Sequence, residues 1–139
     1  MRISLDPGKT TGVAWRSPYQ IGSLLSTQWP GDLITVVLDG FHAGYTIDEI
    51  VVENFRSRPG PAVNLSAPEV IGRVYAWADA RGVPVVRQDA SPVKRRVTAD
   101  RLWAAGGWKR GEEHARDAAR HLLFREEKLG LIDLTNPNH

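Results

Sequence analysis

The sequence predicts a single α/β domain: a mixed central sheet, part antiparallel meander and part parallel strands, flanked by helices. Three observations predict it. Before Pro30, short apolar runs are separated by Pro-Gly and Ser-Pro turns, the pattern of an antiparallel meander. Beyond it, helical periodicities alternate with short apolar runs, which calls for parallel members. At 139 residues the chain can bury roughly two-thirds of its unfolded surface in one core, with no need of a second domain.

Arg2–Leu5 and Thr11–Trp15 read as neighbouring strands joined through Pro7-Gly8, with Gly8 and Gly12 expected to give a hairpin its backbone freedom. Gln20–Trp29 supplies a third strand after the Ser17-Pro18 turn. Pro30 and Gly31 break the pattern, and Asp32–Phe41 sets Leu33, Val36, Val37 and Phe41 at helical spacing. Glu49–Glu53 contains the continuous run Ile50, Val51, Val52, as in a strand buried on both faces, and Glu53 sits at its exit. Residues 55–65 have loop composition, with Arg56, Arg58, Pro59, Gly60, Pro61 and Asn64.

Ser66, Pro68 and Glu69 open a helix as a capping box in outline. Its apolar stripe is Val70, Ile71, Val74, Tyr75 and Ala78, and Gly82 ends it. Val83–Arg87 reads as a strand. Ser91-Pro92 then begins one helical region, Val93–Ala105, closed by Gly106 and Gly107. The clearest helix is Glu112–Glu127, where Ala115, Ala118, Ala119 and Leu122 follow i, i+3, i+4, i+7 and His114, Asp117 and His121 line the neighbouring stripe. Residues 1–134 make the domain, and 135–139 a frayed tail.

Composition narrows the chemistry. The absence of cysteine excludes disulfides and thiolate zinc sites. No apolar stretch approaches a membrane span and no signal-like start is present, so a soluble, cytoplasmic protein is expected. Eighteen basic and 16 acidic side chains give a net charge of only +2, but the basic residues cluster at Arg56 and Arg58, at Lys94, Arg95 and Arg96, and at Lys109 and Arg110. Such clusters suit a phosphate-binding surface around a carboxylate site, although any one of them could be a solvated face.

Gly8-Lys9-Thr10 imitates the end of a phosphate-binding P-loop. That motif needs a glycine where Ile3 stands and a helix where Val13–Trp15 reads as strand, so the match fails. Asp6 remains, an acid at a strand end. Alone it could orient its own turn, and Glu53 could be a solvated strand end. Together with Asp117 on the last helix they form three acidic stations with metal-ligating chemistry.

This arrangement resembles the RuvC family of Holliday junction resolvases, of the ribonuclease H-like fold. The matching residues are the DPG opening Asp6-Pro7-Gly8 with Gly12, the strand-borne acid in Val51-Val52-Glu53, and the closing motif His114-Ala115-Arg116-Asp117-Ala118. Order, spacing and element type agree over most of the chain. It is shorter than bacterial members usually are, and in size looks like a compact, phage-type relative, which would act in the host cytoplasm.

The resemblance implies a metal-dependent endonuclease resolving four-way or other branched DNA with two Mg²⁺ or Mn²⁺ ions. Asp6 would bridge both ions, Glu53 would bind one, and Asp117 with His114 the other. Lys94 or Lys109 would contact the scissile phosphate, and Phe55 would stack on bases at the crossover. Arg56, Arg58, Lys94, Arg95, Arg96, Lys109 and Arg110 would bind DNA. Symmetric cutting implies a homodimer, with the helix Ala67–Arg81 as one candidate face. His121 reads as a surface or supporting group. Trp103 and Trp108 most simply serve packing, but they bracket Gly106-Gly107 near the basic cluster, within reach of DNA. Alternatives remain: a flap or RNA–DNA hybrid nuclease with the same metal site, or a non-catalytic nucleic-acid-binding protein of the same fold.

Overall fold

The computed structural model describes residues 1–17, 23–54 and 66–136. In chain order the elements are β1 (Arg2–Asp6), β2 (Thr10–Arg16), β3 (Leu24–Pro30), a 3₁₀ turn (Gly31–Leu33), α1 (Ile34–Gly44), β4 (Glu49–Glu53) and α2 (Ser66–Arg81). There follow β5 (Val85–Gln88), α3 (Ala90–Arg96), α4 (Ala99–Ala104) and α5 (Glu113–Lys128). The sheet runs β3-β2-β1-β4-β5, antiparallel across its first three strands and parallel from β1 through β4 to β5. This is the mixed sheet expected from the sequence. No described helix is long and apolar enough to cross a membrane.

Strand alternation divides the sheet into two faces. Ile3, Leu5, Val13, Ile50 and Val52 pack with α1 and α2 through Ile34, Leu38, Val70, Val74 and Trp77. Ala14, on the opposite face, joins Val93, Val97 and Leu102 with Ala118, Ala119, Leu122 and Leu123 of α5. The second face also receives the polar residues of alternate register. Glu49 accepts from Arg125 of α5, Gln88 donates to His121 of α5, and Asp6 meets His114. One sheet surface is therefore both half of a core and the floor of a polar cluster.

Several expectations change. The single helical region over 93–105 is two short helices, because Val97 leaves helical geometry (ψ 79°) and the Thr98 side chain accepts from the Arg101 N–H, capping α4. The fifth strand starts at Val85: Gly82 (φ +68°) and Val83 close α2, donating to the carbonyls of Asp79 and Ala78 in a Schellman turn. The first helix starts at Ile34, after the 3₁₀ turn. Neither Gly8 nor Gly12 has a positive φ, so hairpin freedom is not their role. Of the apolar stripe of α2, Val70, Ile71, Val74 and Ala78 lie on the core, whereas Tyr75 is exposed. In the tail, Thr135 and Asn136 fold back onto Asp133, and 137–139 lie outside the described residues.

Candidate active site

A row of three residues across β3, β2 and β1 sets the site. Gln28 pairs with Gly12, and Gly12 pairs with Asp6. Gln28 Oε1 accepts from the backbone N–H groups of His114 (2.9 Å) and Ala115 (3.3 Å), satisfying donors that the first turn of a helix otherwise leaves free. Gly12 permits the approach: a Cβ there would lie 1.9 Å from the His114 carbonyl oxygen. With the start of α5 docked on the sheet, His114 Nδ1 reaches Asp6 Oδ2 at 3.0 Å, hydrogen-bonded.

Glu53 leaves β4 beside Gln88 of β5. The Gln88 amide donates to the His121 carbonyl (3.0 Å), an obligate acceptor, and lies 3.1 Å from His121 Nδ1. Nδ1 therefore accepts, and the ring proton resides on Nε2, which faces Glu53 Oε1 at 3.7 Å. His121 is 1 % exposed. Asp117, one turn back on α5, accepts from Arg120 (2.9 Å) and has the Lys94 ammonium 4.0 Å from its other oxygen.

The electrostatics follow from crowding carboxyls under cover. Burial, then the hydrogen bond that the protonated Asp6 carboxyl donates to Glu53 and the charges of Glu53 and Asp117, raise Asp6 from an ordinary 3.8 to about 10. Burial would raise Glu53 too, but His121, the Asp6 carboxyl and Lys94 outweigh it and hold Glu53 at about 2. The pair thus keeps one proton at neutral pH. Among the described residues no three His, Asp or Glu side chains form a ready-made metal cluster, since each acid is turned toward a protein partner. The donor set itself, three carboxylates and an imidazole around a site short of positive charge, fits a hard divalent cation.

Of the expected residues, the fold gathers Asp6, Glu53, His114, Asp117 and Lys94. Lys109 stands apart, its ammonium bonded to the Ser26 carbonyl and 3.7 Å from Glu112. Arg96 is held by Glu127 (2.6 Å) at the far end of α5, while Arg95 and Arg110 are exposed. Phe55, Arg56 and Arg58 lie outside the described residues. Sequence reasoning missed Gln28, Gln88 and Arg120, and left His121 between a surface and a supporting role, of which its burial against Glu53 selects the second. For His121 a signal existed, since it shares a helix face with His114 and Asp117, and that face meets the sheet.

No protein-family model matches the chain, and no curated protein does so by sequence. Solved structures do match. Thermus thermophilus RuvC in complex with a Holliday junction substrate superposes with a TM-score of 0.70 at 20 % identity, over 94 % of this chain and 96 % of that one. A second Thermus thermophilus RuvC structure gives 0.62 at 17 % identity over the same shares. This chain has a RuvC-like fold. Within the RuvC-like frame, the acids stand where β1, β4 and α5 converge, with Lys94 of α3 near Asp117 and Gln88 of β5 paired with Glu53.

Proposed function

We propose that this protein is a divalent-metal-dependent endonuclease that resolves branched DNA, four-way junctions foremost. The observation that carries the reading is the convergence of Asp6, Glu53 and Asp117 with His114 and Lys94 on one sheet face. Its support is the fold, shared with a RuvC seen in complex with a Holliday junction substrate.

Asp6, Glu53, Asp117 and His114 would hold the Mg²⁺ or Mn²⁺ ions, two per site, which supply a hydroxide nucleophile and stabilise the leaving oxygen. The chain's own groups do the rest. Gln28 and Gly12 fix the start of α5, so His114 and Asp117 face the sheet. His121 and Gln88 orient Glu53, and Arg120 holds Asp117. Lys94, the lysine beside the acids, offsets charge on the scissile phosphate, whereas Lys109 is engaged by Ser26 and Glu112. Exposed Arg95 and Arg110 serve the DNA backbone. Paired cuts on a two-fold substrate call for a homodimer.

The test is a panel of labelled four-way junction, flap, RNA–DNA hybrid and linear duplex, each with Mg²⁺ or Mn²⁺ and cut sites mapped. Paired symmetric nicks in the junction alone are expected, lost with a chelator or in Asp6→Asn, which still binds the junction. Cutting of flap or hybrid but not junction assigns the same site to another substrate. Binding without any cutting removes the catalytic reading.

A further inference from the structure

Trp103 lies in the last turn of α4, and Trp108 follows the Gly106-Gly107 turn. The turn is tight: Gly106 sits at φ +78°, and a Cβ on Gly107 would come within 2.5 Å of Leu102 Cδ1. It brings the two indoles nearly parallel, 13° apart with centroids 5.5 Å apart. The Arg116 guanidinium lies 4.7 Å over the Trp108 ring and is pinned by donating to the Lys109 carbonyl at 2.7 Å. Trp108 packs on the second core. Trp103 does not; at 61 % exposure it is the most exposed tryptophan among the described residues.

Burial accounts for Trp108 and leaves Trp103 unexplained, because an open indole gains little from water exclusion. A rigid, pre-stacked indole is, however, a surface on which another flat ring can lie. Its surroundings select the ring. The Arg116 guanidinium lies over Trp108, Arg101 and the exposed Arg110 flank the two indoles in sequence, and Arg116 precedes the acid Asp117 on α5. In a DNA substrate, the flat rings joined to negative charge are its nucleotides. In a paired duplex both faces of each base are covered by its neighbours, so the occupant must be unstacked.

We propose that the Trp103–Trp108–Arg116 stack is a docking platform for an unpaired nucleobase of the DNA substrate. This rests on the nuclease reading, and its test is separable from it. Binding of a short oligothymidine, of a junction with unpaired thymines at its crossover, and of a fully paired duplex is measured for the chain and for Trp103→Ala and Trp103→Phe. Asp6→Asn is the common background, so nothing is cut. Trp103→Ala should weaken the first two by about tenfold and leave the duplex within about twofold, while Trp103→Phe keeps most of the affinity. Circular dichroism verifies that each variant is folded. Equal binding of oligothymidine by Trp103→Ala and its parent overturns the platform, even if the uncrippled enzyme resolves junctions normally. Conversely, ring-dependent binding by a protein that cuts no junction upholds the platform and sinks the resolvase reading. Absence of all DNA binding overturns both.

Discussion

Asp6 is held where its charge is least welcome: buried, hydrogen-bonded to Glu53 and facing Asp117, with its proton retained up to about pH 10. The sign of the linkage follows. A carboxyl whose folded value is raised binds more protons in the native state, so its contribution to stability declines as pH rises from about 4 toward 10. Asp6→Asn removes that decline. In chelator, the variant should melt at a higher temperature than the parent, and the gap should widen from pH 5 to pH 9; a gap that narrows would contradict the assigned direction. The same substitution should abolish cutting, a trade of stability against function expected where like charges are held together. His121 acts one step removed. His121→Ala deletes the imidazole that faces Glu53 and leaves the Gln88 amide only its bond to the backbone carbonyl of that residue, and removal of such supporting groups typically lowers activity by about 10- to 100-fold. Single-turnover cleavage should show that loss with junction affinity nearly unchanged, since the residue is buried away from DNA.

Among elements, α5 depends on how it meets β2. Gly12→Ala places a methyl 1.9 Å from the His114 carbonyl oxygen, and backbone cannot step aside as a side chain tip can. The helix start must lift, which breaks the Gln28 bonds and draws His114 and Asp117 off the sheet. Overpacking of this kind costs about 1–3 kcal/mol, so thermal melting should detect it, and cleavage should fall much further than stability. The sequence identified Gly12 as important but for the wrong reason, because a close approach between distant segments leaves no local trace. What it did reveal were the strand-end acids Asp6 and Glu53 and the stripe of α5, where alternation and helical spacing act directly. It missed the break at Thr98, since Val93 and Val97 keep a helical spacing up to it and neither glycine nor proline marks it. Gln28 was illegible: a glutamine in an edge strand gains meaning only when a helix from the far end of the chain arrives over it.

For the whole molecule, a net charge of +2 predicts little, and the placement of the charges predicts more. The run Lys94-Arg95-Arg96 looks uniform, yet the fold separates it. Lys94 stands beside Asp117, Arg95 is exposed, and Arg96 is fastened to Glu127, which also accepts from the Leu134 N–H. Binding of an intact junction should therefore weaken steeply with salt, and Lys94→Ala and Arg95→Ala should each reduce the slope of log affinity against log salt by about 0.9 for every phosphate the side chain neutralises. Arg96→Ala should leave that slope unchanged and lower the melting temperature instead, by releasing the chain after α5. The contrast distinguishes a DNA-facing cluster from a solvated one: if all three variants shift the slope equally, the basic residues act as diffuse charge and the path assigned to DNA across α3 is wrong. The slope also reports stoichiometry when read beside light scattering. A homodimer presents the Lys94–Arg95 surface twice, so a dimer on a four-way junction should show about double the salt dependence measured on a single branch arm, whereas a monomer should show the same slope on both.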